Sequence, residues 1–91
     1  MPKVENQLLI TNRVGLHARP ARLLVQTAAR FQSQIQVLCG EKSANVKSIL
    51  GVLKLGAVLG DTIVVRAEGD DAEEAVATLA DLVNRKFDEE E

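Results

Sequence analysis

Apolar and polar residues alternate most regularly over Thr62–Glu68. Ile63, Val65 and Ala67 share one side, and Val64, Arg66 and Glu68 the other. A period of two predicts a strand with one buried face. Gln34–Cys39 repeats the pattern, with Ile35, Val37 and Cys39 pointing one way. Gly40-Glu41 then supplies a tight hairpin turn, and a short strand follows through Ala44 and Val46. Gln7–Thr11 reads as a further strand, with Leu8 and Ile10 on one face and Leu9 blurring the alternation. The period changes over Ala18–Phe31, where Ala21, Leu24, Val25 and Ala28 mark the apolar stripe of a helix. Pro20 falls in its first turn, where a missing N–H costs nothing. Ser48 offers an N-cap for a short helix over Ile49–Leu55, and Gly56 suits its end. Gly60-Asp61 is a turn. Asp70 and Glu73 form a capping box for a last helix over Ala72–Phe87. Ala72, Ala75, Val76, Leu79, Leu82 and Val83 line its apolar face, and Asp88–Glu91 is an acidic, frayed end.

The predicted order is β-α-β-β-α-β-α. Strands that alternate in polarity, with amphipathic helices between them, imply one sheet with helices on one face and water on the other. That is an α+β open-faced β-sandwich. At 91 residues the chain forms a single domain, residues 1–91. Its 46% hydrophobic content supports a compact core and rules out disorder for most of the length. No run of about 18 apolar residues is present, so no membrane insertion is expected. Met1–Asn6 has no apolar signal core, which argues against secretion, and the single Cys39 fits a reducing cytoplasm. Cys39 is expected to be a small core residue.

Charge and aromatic content narrow the function. Residues 1–54 carry eight Lys/Arg against two acids, a balance of +6. Residues 55–91 carry three bases against eleven acids, a balance of −8. The asymmetry reads either as a basic face for an acidic partner or as chance segregation on a solvated surface. Two phenylalanines and no Trp or Tyr leave no platform for stacking bases. The acidic carboxy-terminal half likewise argues against nucleic acid as a partner.

His17 is the only histidine. It stands where a Gly15-containing loop meets a helix start, a place that suits an ordinary surface residue or cap as well as a reactive group. Three features favour chemistry. The helix start leaves the Ala18 and Arg19 N–H groups unpaired, a ready-made anion site. Arg19, with Arg13 and Arg22 close in sequence, supplies guanidinium groups that hold phosphoryl oxygens. A neutral imidazole in a cationic neighbourhood keeps a ring nitrogen free to attack. Together these describe a phosphoryl acceptor. They do not describe a hydrolase, because no acid, Ser or Cys stands near as a second catalytic group. Nor do they describe a metal site, which needs further ligands.

Gly15-Leu16-His17-Ala18-Arg19-Pro20-Ala21 resembles the active-site signature of the HPr family, the histidine-containing phosphocarriers of the bacterial phosphotransferase system. Lys47-Ser48-Ile49-Leu50-Gly51-Val52, followed by Leu55-Gly56, resembles the second signature of that family, about thirty residues on. The resemblance covers nearly the whole chain and implies a four-stranded antiparallel sheet with three helices on one face. It implies a phosphocarrier rather than a stand-alone enzyme. His17 would take a phosphoryl group on Nδ1 from Enzyme I, itself charged by phosphoenolpyruvate, and hand it to an EIIA domain. Arg19 would stabilise the transferring group, and no cofactor or metal would be needed. Ser48 reads on its own as a structural N-cap; the resemblance makes it a regulatory phosphorylation site for an HPr kinase/phosphorylase.

Ile49, Leu50, Val52, Leu53 and Leu55 are more apolar than one core-facing stripe requires. Either the short helix is buried on two sides, or part of it is a docking patch. The resemblance implies the patch: Ile49, Leu50 and Leu53, with Leu16 nearby and Lys47, Lys54, Arg13, Arg19 and Arg22 as a basic rim. A carrier needs that face free, so a monomer is expected. Leu82–Glu90 and Ile10–Arg13 resemble the nitrogen-related branch, whereas the Ser48 motif resembles the sugar-transport branch. A module that docks without transferring phosphate is the other alternative, and the presence of His17 counts against it.

Overall fold

The computed structural model describes residues 1–88. Its elements follow the expected order: β1 Lys3–Leu9, α1 Ala18–Ala28, β2 Gln34–Cys39, β3 Lys42–Asn45, α2 Ile49–Lys54, β4 Thr62–Glu68 and α3 Ala72–Asn84. The four strands form one sheet in the order β1-β4-β2-β3, and each neighbouring pair is antiparallel. The most regular alternation in the sequence, β4, takes a central place, between β1 and β2.

Register explains the two faces. Val4, Ala67 and Ile35 stand in one row across the sheet, and Val65, Val37 and Ala44 in another. Apart from the half-buried Val4, these residues are buried, together with Leu8 and Ile63. The helices cover this side, with Leu24, Ala28, Val52, Leu79 and Val83 buried among them. The opposite side carries Lys3 beside Glu68 and Gln34, and Glu5 beside Arg66 and Gln36. Arg66 Nε donates to Glu5 Oε2 at 2.8 Å on this solvated face. Both pairing partners are exposed, so the contribution to stability is small. Among the described residues, no helix is long and apolar enough to cross a membrane.

Three element boundaries differ most from the sequence expectation, each for a local reason. β1 begins at Lys3 rather than Gln7, because Lys3, Glu5 and Gln7 face water and pair with β4 without needing apolar side chains. α1 stops at Ala28, and the Arg30 and Phe31 N–H groups bond to Thr27 O and Ala28 O in a tightened last turn. α3 stops at Asn84, because Lys86, Phe87 and Asp88 adopt left-handed backbone angles that fold Phe87 back into the core, fully buried. The acidic end expected over Asp88–Glu91 lies, from Glu89 on, outside the described residues.

The capping box expected from Asp70 and Glu73 is not formed. The N-cap of α3 is Asp71, and its carboxylate does not cap its own helix. It instead accepts the Gln32 and Ser33 backbone N–H groups at 2.8 and 2.9 Å, and the Ser33 hydroxyl as well. These bonds hold the Asp71 carboxyl below its ordinary value of 3.8, the Ser33 hydroxyl contributing most. Asp71 therefore clamps the α1–β2 connection to the start of α3. A second helix start elsewhere in the molecule, by contrast, is capped as expected. Ser48 precedes α2 with extended backbone angles, and its Oγ accepts the Gly51 N–H at 3.1 Å.

Candidate functional site

The loop before α1 is built around two tight contacts. Asn12 is fully buried and its Nδ2 donates to Gly15 O at 2.8 Å, while the Gly15 N–H returns to Asn12 O at 3.2 Å. Gly15 has φ +63°, and a Cβ there would lie 2.4 Å from Ala57 O and 2.7 Å from Val58 Cα. Only glycine fits so close an approach at that backbone angle. The Leu16 N–H then donates to Ala57 O at 2.9 Å. The loop thus lies directly on the Ala57–Val58 segment.

From that base the chain enters α1. His17 is the N-cap, with extended backbone angles and no side-chain capping bond. The first helical bond runs from the Ala21 N–H to His17 O at 2.8 Å. Pro20 has no N–H, so Ala18 and Arg19 carry the backbone donors left open at the helix start. His17, Ala18 and Arg19 are all exposed. Arg22 is exposed one turn further on, on the face it shares with Arg19. Arg13 is exposed on the preceding loop. The arrangement brings an uncommitted imidazole, two free backbone N–H donors and guanidinium groups to one helix end. It can hold a tetrahedral oxyanion next to a nitrogen nucleophile.

Two hydrogen bonds fix how α2 lies beside α1. Leu16, at the start of α1, bonds Ala57, just after α2. Lys47, just before α2, donates from Nζ to Phe31 O at 2.8 Å, just after α1. The helices therefore run side by side in opposite directions. Ser48, at the start of α2, therefore lies at the opposite end of that helix from the Ala57 segment on which the His17 loop rests. Lys54, in the last turn of α2, is exposed at the His17 end.

This geometry corrects two of the expected docking residues. Leu16 is only 3% exposed and belongs to the core, so it supports the loop from beneath and offers nothing to a partner. Lys47 is not part of a rim beside His17: its ammonium caps the far end of α1, where a cation also complements the helix dipole. The apolar surplus of α2 divides between two sides. Val52 and Leu55 are buried, whereas Ile49, Leu50 and Leu53 are 40%, 61% and 37% exposed. Cys39 is half-buried at the core's edge, and burial, helped by the Asp61 charge, pushes its thiol pKa up. Sequence reasoning reads Gly60-Asp61 as a turn but gives neither Asn12 nor the Ala57–Asp61 segment a part in the site. The available signal was the spacing of Asn12 to Gly15, which suits a side chain closing a short turn.

Comparison with known proteins agrees with this architecture. The family model described as PTS HPr component phosphorylation site matches residues 4–85. A phosphocarrier protein NPr from Shewanella violacea is 43% identical over 89 residues, 98% of each chain. A phosphocarrier protein HPr from Xylella fastidiosa is 40% identical over 87 residues, 96% of this chain and 98% of that one. The solved structure of HPr-C-His from Thermoanaerobacter tengcongensis superposes with a TM-score of 0.91 at 49% identity, covering all of both chains. With its four-stranded antiparallel sheet, its three helices and these matches along nearly its whole length, the chain belongs to the HPr family of phosphotransferase-system phosphocarriers, which are phosphoryl carriers rather than stand-alone enzymes.

Proposed function

We propose that this chain carries a phosphoryl group on His17 Nδ1, received from phosphorylated Enzyme I and passed to an EIIA domain. The observation that carries the reading is the open helix start: an exposed His17 that caps nothing, beside the free Ala18 and Arg19 N–H groups. In the transfer, the imidazole lone pair forms the new P–N bond as the bond between phosphorus and the donor breaks, its electron pair leaving with the donor group. Charge spread over the equatorial phosphoryl oxygens is met by the two backbone donors and the Arg19 guanidinium. The same contacts serve the onward step in reverse. Ile49, Leu50 and Leu53, with Arg22 and Lys54, give partners an apolar patch with a basic rim. The reading places the protein in the cytoplasm, acting as a monomer whose docking face stays free.

Ser48 takes the regulatory role in this reading. It is exposed, and a phosphate there sits at the N-terminus of α2, where the helix dipole favours it. Its distance from His17 means that it acts on docking rather than on the transfer geometry. Two negative charges beside Ile49 and Leu50 weaken association with a partner selected for a basic rim. Relatives named HPr and NPr match almost equally well, which favours keeping both a sugar-transport and a nitrogen-regulatory EIIA as acceptors to test. The experiment is to charge the protein with phosphoenolpyruvate and Enzyme I and offer it EIIA domains of both kinds. Transfer to at least one supports the carrier reading. A charged protein that discharges to neither contradicts it.

A further inference from the structure

His17 makes no side-chain capping bond, so its position depends on the backbone beneath it. That backbone rests on Ala57–Val58 through the Leu16 N–H bond and the close approach of Gly15. The Ala57–Val58 segment has no strand or helix to hold it. It is held by Asp61. The Asp61 carboxylate accepts the Val58 N–H through Oδ2 at 2.9 Å, and the Asp61 N–H returns to Val58 O at 2.9 Å. The Asp61 carbonyl accepts the Ile10 N–H at 2.9 Å, and the Gly60 N–H closes back onto Ile10 O at 2.9 Å. A reciprocal pair of bonds around Val58 is thereby tied to the end of β1, which leads into the His17 loop.

We propose that Asp61 is a positioning residue for phosphoryl transfer: its carboxylate fixes Val58, Ala57 O fixes Leu16, and Leu16 sets the place of His17 and of the Ala18 and Arg19 donors. The proposal rests on the reading of His17 as the phosphoryl acceptor. Asp61 touches none of the reacting groups. It acts through the Ala57 carbonyl, and the acceptor oxygen of its side chain, not its charge, is what the role requires. An Asn retains that oxygen, whereas an Ala removes it.

The test compares Asp61→Ala and Asp61→Asn with the wild type in two measurements. The first is phosphorylation by Enzyme I, resolved into maximal rate and half-saturating Enzyme I concentration. Asp61→Ala is expected to lower the maximal rate about ten-fold with an unchanged half-saturating concentration, and Asp61→Asn to stay within about two-fold of wild type. The second needs no phosphate: hydrogen exchange of the Leu16 amide, protected in the wild type, becomes faster in Asp61→Ala and not in Asp61→Asn. A normally charged wild type matched by Asp61→Ala in rate overturns the role of Asp61 alone. Asp61→Asn as slow as Asp61→Ala overturns the hydrogen-bond argument, and a changed half-saturation with unchanged rate turns Asp61 into a docking residue. A wild type that accepts no phosphate overturns the carrier reading, and the positioning role with it.

Discussion

Two helix starts in this protein are built to opposite specifications. At α2, Ser48 closes the helix with its own hydroxyl on the Gly51 N–H. At α1, His17 stands in the same position and closes nothing. The α2 start is satisfied locally and gains stability from it. The α1 start leaves its donors to solvent and is held instead from outside, by Asn12, Gly15 and the Ala57 carbonyl. An open helix end forgoes capping stabilisation and leaves backbone donors that can bind an anion, which in the proposed function is a phosphoryl group. The difference is what the proposed division of labour rests on: transfer at the open end and regulation at the capped one.

Removing the Arg19 guanidinium attacks the open end most directly. Arg19→Ala is expected to slow phosphoryl transfer about 100-fold, with circular dichroism and melting temperature unchanged, because its side chain is exposed. A wild-type rate would leave the backbone donors alone as the charge-stabilising groups. Gly15→Ala tests the external support. The new Cβ would meet Ala57 O and Val58 Cα at a positive φ, so a loss of about 2–3 kcal/mol is expected in urea unfolding. A neutral substitution would show that the loop does not rest on Ala57.

The contrast itself is sharpened by a matched pair of substitutions. Ser48→Ala is expected to cost about 1 kcal/mol by loss of its cap, and His17→Ala close to nothing in the same assay. Equal losses would mean that His17 caps α1 after all. The clamp at α3 differs from both helix starts in depending on pH. The Asp71 carboxyl is held below its ordinary value by the Ser33 hydroxyl and the Gln32 and Ser33 amides. Its contribution is therefore fully present above the unfolded carboxyl's pKa and fades as pH falls through the lower folded value. Asp71→Asn should melt below the wild type at pH 7, and the gap should close as pH falls below about 4. A gap independent of pH would assign the effect to geometry rather than ionisation.

Features with a local periodic signature were legible in the sequence. β4 carries its own alternation and was placed residue for residue, and the Gly40-Glu41 turn is set by the Cys39–Lys42 pairing that flanks it. Ser48 at a helix start was legible because capping is a local interaction. His17 was legible as the one histidine at such a start. Long-range choices were not. Asp70 and Asp71 look alike in sequence, and only the approach of Ser33, 38 residues away, decides which carboxylate is used and for what. Lys47 resembles a rim residue until the antiparallel packing of α1 and α2 brings Phe31 O within its reach. Leu16 sits in a loop by sequence and in the core by topology. An apolar Phe87 continues the helical pattern of α3 in sequence, whereas the chain buries that ring by turning left-handed.

The most direct measurement of the central claim is intact-mass spectrometry after incubation with phosphoenolpyruvate and Enzyme I, run on the wild type, His17→Ala and Ser48→Ala. One acid-labile phosphate on the wild type and on Ser48→Ala, and none on His17→Ala, is the predicted result. A phosphate on His17→Ala, or its absence from the wild type, would contradict the assignment of the open helix start as the phosphoryl acceptor.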